Sequence, residues 1–379
     1  MSLNIHRRHA ARLLVVAAAI AGIGVPAFAH DDDADDNDGA SLRHGKLFIS
    51  TNAPGGNEVL VYQRAGSSGA ATLLNRFATQ GVGTGAGLGS QGAVTLSGSG
   101  RYLFVVNAAS NTLSTFAVGG SALVLKSVVD TGGLTPISVT EHDGLVYVLN
   151  AGGNGGVAGF RNHHGQLSPV AGATGTLSAA GGTGPAQVGF SSDGDVLVVS
   201  EKNTNRLTSF LVRRDGTLAQ KTVSASSGAV PFGFAFTKRD VLVVSEAPGS
   251  TVSSYRFADN SPVPQVVTAS LPNTQGAACW IAVTPNGKFA FSANAATSNV
   301  SSFGVARNGQ LSLIAGIAGP TGPNAGAVDM AVSPNGEQLN VFASRGLRIV
   351  SFTITPAGTL LPLGSVGGMP AGSAGLAAN

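Results

Sequence analysis

Residues 185–218, PAQVGFSSDGDVLVVSEKNTNRLTSFLVRRDGTL, decide the fold. They read as a short strand over 188–190, a tight turn at Asp193-Gly194 and a β-branched run over 196–199. A polar loop follows, then a third strand over 207–212, a second turn at Asp215-Gly216 and a fourth strand. Asp-Gly and Asn-Gly pairs tolerate the positive φ of hairpin turns, so the stretch predicts a four-stranded antiparallel sheet.

The same unit recurs outward in both directions. Second-strand ends align at 49–53, 105–108, 148–151, 198–201, 243–246, 291–295 and 341–344. Turn signals recur with them, at Ser99-Gly100, Asp143-Gly144, Asn286-Gly287 and Asn335-Gly336 between first and second strands. His164-Gly165, Asn308-Gly309 and Ala357-Gly358 fall between third and fourth strands. Four-strand repeats of roughly 40–50 residues denote a β-propeller, because one such sheet buries both faces only between two neighbours. The expected fold is therefore all-β, a seven-bladed propeller with four antiparallel strands per blade. The first block starts at His44 with a second-type strand, and the C-terminal residues 375–378 resemble a first strand without a successor. The C-terminal strand is expected to complete the first blade. A composition with 54 Gly and only 11% charged residues fits many short strands and excludes coiled coils and helical bundles.

Upstream of the repeats, residues 1–29 read as a signal peptide. Arg7, Arg8 and Arg12 precede an apolar run over 13–25, and Ala27-Phe28-Ala29 forms a small-residue cleavage site. The expected location is periplasmic or secreted, with cleavage after Ala29. Residues 30–43 read as an acidic, disordered linker, and residues 44–379 as the propeller. Without the leader arginines, 22 basic residues become 19, matching the 19 acidic ones. The run from Asp31 to Asp38 lacks the register of a calcium loop and reads as a solvating tail. No basic cluster with interleaved aromatics occurs, so nucleic acid is not an expected partner, nor is membrane insertion of the mature chain. Cys279 is the only cysteine, which rules out an internal disulfide and suits a buried thiol. His44, His142, His163 and His164 lie in turns or strand starts and suggest no metal site. No cofactor is expected, and the chain reads as a monomer.

Function is sought where the repeat is broken. In a propeller the entry ends of the first strands share one mouth with the loops between second and third strands. After the second strand, two adjacent blades replace the usual Ala by Glu, at Glu201 (followed by Lys202) and Glu246. Entering the first strand, the series Ala93, Ser138, Gln187, Gly233, Trp280, Asp329 departs from small residues at Gln187, Trp280 and Asp329. Carboxylates gathered at one mouth would raise one pKa and supply a general acid or base, with Trp280 as an apolar wall. The structural alternative is that the carboxylates bond neighbouring backbone and Trp280 fills core.

The segments SPNGEQLNVF at 333–342, TPNGKFAFSAN at 284–294 and VLVVSEKNTNRLTSF at 196–210 resemble the seven-bladed propeller lactonase family, which includes 6-phosphogluconolactonase and carboxymuconate cyclase. The resemblance spans nearly the whole mature chain and implies the propeller fold and hydrolysis of a lactone or ester, with a small-molecule lactone or sugar-like ligand as partner. Family catalysis is associated with an Arg-His pair entering a first strand, a Glu after the second strand and a further Arg. Here Gly184-Pro185-Ala186-Gln187 occupies the Arg-His position, and Glu201 matches the Glu. The resemblance thus implies Glu201 as acid or base, Glu246 or Asp329 as its partner and Lys202 or Arg206 as the cation. Gln187 and Trp280, with Arg206, would hold substrate. The competing expectation is a non-catalytic propeller that binds a ligand, polymer or protein partner in the cell envelope.

Overall fold

A computed structural model describes residues 45–64, 71–120 and 122–379. The expected leader and acidic linker fall within residues 1–44 and lie outside the described residues, as does His44. Seven four-stranded antiparallel sheets form a ring. Blades two to seven run in chain order, beginning with inner strands Val94–Leu96, Pro136–His142, Pro185–Phe190, Pro231–Phe236, Ala278–Val283 and Ala327–Val332. Blade one is built from both ends of the repeat region. Its second strand Lys46–Ser50 pairs with Ala374–Ala378, the expected closure. Each inner strand packs against the inner strands of both neighbours, so the ring has no gap.

The strands form where β-branched and aromatic residues run between turn signals. At Asp143-Gly144 and His164-Gly165 both residues have positive φ, the two-residue hairpin geometry read from the sequence. The turns at Asp193-Gly194 and Asp215-Gly216 are wider, and only the glycine is left-handed. There Ser191 and Arg213 carbonyls accept from Gly194 and Gly216 N–H. Second strands are buried along almost their whole length, and completely in Val196–Glu201 and Val241–Glu246. Cohesion comes from apolar layers between blades. Val196, Val198 and Leu207 of blade four meet Phe234, Leu242, Val244 and Tyr255 of blade five in one such layer. Burying each large side chain there contributes about 1.5–3 kcal/mol.

The inner strand of blade four is longer than the sequence reading allowed, running Pro185–Phe190 instead of starting at Val188. A register shift between Pro185 and Gln187 explains the difference, since the strand continues through a bulge. The same shift recurs beside Ser138 and Trp280, and it spans Pro231/Phe234 and Ala327/Met330 in blades five and seven. These bulges bear the entry series except Ala93, which precedes the unbulged inner strand of blade two. Among the described residues, no helix is long and apolar enough to cross a membrane.

Candidate functional site

The ladder corrects the alignment of the two glutamates. Glu201 opposes Arg206 and Glu246 opposes Thr251, just as Asn107 opposes Thr112 and Asn294 opposes Asn299. Each Glu therefore replaces the repeat's Asn, not its Ala. Asn107 and Asn294 tie their blade's loops with side-chain hydrogen bonds, Asn107 accepting from Thr79 Oγ1 at 2.7 Å and donating to Ser114 Oγ at 2.8 Å. The glutamates do the same work with a longer arm. Glu201 is 0% exposed. Its Oε1 accepts from Ser178 N–H at 3.0 Å and Thr208 Oγ1 at 2.6 Å. Its Oε2 accepts from Ser178 Oγ and from Thr204 Oγ1, the latter at 2.8 Å. Glu246, also 0% exposed, accepts from Gly228 N–H at 2.8 Å, Ser253 Oγ at 2.6 Å and Thr251 Oγ1 at 2.5 Å. Each carboxylate closes a loop of its own blade, and neither shares a partner with the other. Arg206, opposite Glu201 on the ladder, is exposed.

Lys202, Trp280, Gln187 and Asp329 do converge on the channel, but the mouth is already occupied. The connection between blades one and two contains GVGTGAGLGSQG at 81–92, whose last five residues cross the channel. Ser90 Oγ donates to Ile137 O at 2.8 Å, and Val139 N–H donates to Gly92 O at 2.8 Å, both on blade three. Gln91 N–H donates to Ala186 O of blade four at 3.1 Å. The Gln91 amide then pairs with blade six, Nε2 donating to Ile281 O at 2.7 Å and Oε1 accepting from Ile281 N–H at 3.0 Å. Trp280 Nε1 donates to Ser90 O at 2.9 Å, and its ring lies 4.8 Å from that of Phe232. Lys202 Nζ donates to Gly89 O at 2.6 Å and stands 4.8 Å over the Phe232 ring. The residues read as substrate wall and electrophile thus hold a plug made by the chain itself.

Glycine is required where this segment turns. Gly92 has φ +83, and a Cβ there would come within 3.0 Å of Ser138 Oγ. The plug escaped the sequence reading because it belongs to no blade. Its one visible signal is length, since residues 79–93 form the longest connection between successive blades. Replacing Trp280 by Phe keeps most of the ring packing and removes the N–H to Ser90 O. We expect a loss of about 1–2 kcal/mol in urea unfolding, with faster amide exchange at residues 88–92.

Burial lowers the Lys202 pKa from its ordinary value. Cys279 is buried, and desolvation pushes its thiol up to about 12, so it is no nucleophile.

Beneath the plug the channel remains open as a cavity of about 360 Å³. Gln91, Gly92, Gln187 and Asp329 line its closed end, and Leu96, Thr140, Phe190, Phe236 and Ala378 line it toward the strand exits. Gln187 is spoken for, Nε2 donating to Phe234 O at 2.9 Å and Oε1 accepting from Phe234 N–H at 2.7 Å. Asp329 is 5% exposed and accepts from Gly375 N–H at 3.0 Å, with Gly92 N–H as a second donor. Desolvation raises its pKa from 3.8 to about 7, only partly offset by those two donors.

The folded state therefore keeps a proton on Asp329 that the unfolded chain has already lost above 3.8. Stability falls as pH rises from that value and levels off above about 7. Asp329→Asn removes this titration. The difference in unfolding free energy between wild type and variant should shift against wild type by up to about 4 kcal/mol from pH 4 to pH 8. Parallel urea titrations across that range check it, and a constant difference would refute the assignment.

A family model described as lactonase, 7-bladed beta-propeller, matches residues 154–261, which contain all of blade four. The matched residues include the segment 196–210 that carries Glu201. No curated protein matches the sequence. Among solved structures, a putative 6-phosphogluconolactonase from Bacteroides fragilis superposes with a TM-score of 0.70 at 20% identity, covering 92% of this chain and 100% of that one. A putative 6-phosphogluconolactonase from Bacteroides uniformis gives 0.70 at 19% identity, covering 88% and 99%. A periplasmic gluconolactonase from Pseudomonas aeruginosa gives 0.68 at 18% identity, covering 87% and 98%. The chain is a seven-bladed propeller that resembles the lactonase model over residues 154–261, and likeness to solved structures at such identities speaks for the fold.

Proposed function

We propose that this chain is an exported, monomeric, lactonase-like propeller that binds a small polar molecule and does not hydrolyse lactones through Glu201. The enclosure of the two glutamates carries this reading. Lactone hydrolysis needs a base in contact with water and a donor or cation facing the developing oxyanion. Glu201 and Glu246 have no exposed surface and are engaged by hydroxyl and backbone donors of their own blades. Lys202 is committed to the plug. The leader at 1–29 supports export, which N-terminal sequencing of protein recovered from the periplasm or medium would test.

One observation favours a second reading with turnover. Asp329 lines an open cavity whose volume suits a small ligand, and it could activate water there. Among the described residues no Lys or Arg lines that cavity, so oxyanion stabilisation would fall to backbone N–H groups. A panel of sugar lactones, muconolactones and homoserine lactones separates the two readings, with thermal shift and ring opening measured on the same samples. The binding reading expects stabilisation without ring opening. Ring opening that disappears in Asp329→Asn would replace it with the second.

A further inference from the structure

The channel cavity differs from the plugged mouth in chemistry as well as in access. In a propeller blade the inner strand pairs on one side only, and its other edge faces the axis. The walls here are therefore largely strand edges, whose N–H and C=O groups come in equal number and add no net charge. On this neutral wall sits one ionisable side chain, Asp329, at the end the plug closes. The groups packed around it are the N–H of Gly92 and of Gly375, with the amides of Gln91 and Gln187 in the same cavity end. No second ionisable side chain lines the cavity among the described residues. His142, the last residue of the inner strand of blade three, lies outside the lining with its ring 5.8 Å from that of Phe190.

Gln91 and Gly92 are half-exposed, but their hydrogen bonds to blades three, four and six span that end, which leaves the strand exits as the open approach. Ser90, Gln187 and Asp329 are buried, whereas Leu96, Thr140, Phe236 and Ala378 are half-exposed. A buried carboxylate without a cationic partner is costly, and a ligand that brings the missing positive charge offsets that cost. A primary ammonium offers three N–H donors to a carboxylate and to surrounding carbonyl edges. Phe236, half-exposed and lining the cavity nearer the exit, adds an aromatic ring beside the way in.

We propose that the central channel is a binding site for a small primary-amine compound, which enters from the strand-exit end and sets its ammonium against Asp329. The inference rests on the binding reading above but uses no lactone, so its failure is distinguishable from a failure in the lactone panel.

The test is calorimetric titration of the mature protein at pH 8 with butane-1,4-diamine, butane-1,4-diol and succinate, which share a four-carbon frame and differ in charge. Expected is measurable binding of the diamine, at least tenfold weaker binding of the diol, and none of succinate. Asp329→Asn should weaken the diamine at least tenfold, and Thr140→Trp at the exit should weaken it without touching Asp329. Equal affinity for diamine and diol, no heat with the diamine, or unchanged diamine affinity in Asp329→Asn would each overturn the proposal. The ligand comparison on wild type stands even if a variant fails to fold.

Discussion

A chain shortened to end at Gly372 will lose its cooperative unfolding transition and most of its native β-sheet circular dichroism. The deletion removes the inner strand of blade one, which reaches back across the sequence to Lys46–Ser50. All five residues of that partner strand are buried. Leu376 packs with Leu47, Ile49, Phe342 and Ile349, so it belongs to the layer between blades one and seven. Ala377 sits in the next layer with Phe48, Val105 and Phe116. The end of the strand is clasped as well. Lys46 N–H donates to Asn379 Oδ1 at 2.8 Å, and Arg64 Nη2 donates to Asn379 O at 2.5 Å. Losing the strand would expose apolar residues on two layers at about 1.5–3 kcal/mol for each large side chain. The sum is on the order of the whole 5–15 kcal/mol that holds a domain folded. It would also leave an unpaired, hydrophobic edge open to association. A shortened chain that unfolds cooperatively with native circular dichroism would show that the ring does not depend on its closure.

Replacing Glu201 by Ala should destabilise the protein by about 3–5 kcal/mol in urea unfolding, a cost set by the donors left behind. Ser178 N–H, Ser178 Oγ, Thr204 Oγ1 and Thr208 Oγ1 all converge on the one carboxylate. Ser178 belongs to the connection entering blade four, and the other two lie at and beyond the following turn. The side chain therefore fastens the loops at one end of the blade. Gln at the same position keeps one acceptor oxygen and turns an amide nitrogen toward donors, so its cost should be smaller but measurable, about 1–3 kcal/mol. A catalytic carboxylate facing water would show the opposite pattern, with activity lost and stability kept or gained.

Much of the fold was legible because propeller grammar is local. Turn pairs such as Asp143-Gly144 and buried runs such as 196–199 each declare themselves within a few residues, and the repeat fixes what they join. Even the non-local closure could be read, since a block without a first strand and a tail without a second are complementary. The site was less legible. Ser138, Gln187, Trp280 and Asp329 stand at the strand entries, where a bulge interrupts the ladder in blade after blade. What they meet there is set by residues 88–92, a glycine-rich connection without hydrophobic period. The glutamates were misaligned by one residue against Ala. On a strand one residue decides which way a side chain points, and only the ladder placed them in the Asn position.

The most direct test of the account is the ring-opening rate of wild type and Glu201→Gln on one panel of sugar lactones, muconolactones and homoserine lactones, with melting curves recorded in parallel. The account predicts no turnover attributable to Glu201, and a lowered melting temperature in the variant. Turnover in wild type that vanishes in Glu201→Gln while the melting temperature stays unchanged would contradict it, and would make Glu201 a catalytic residue.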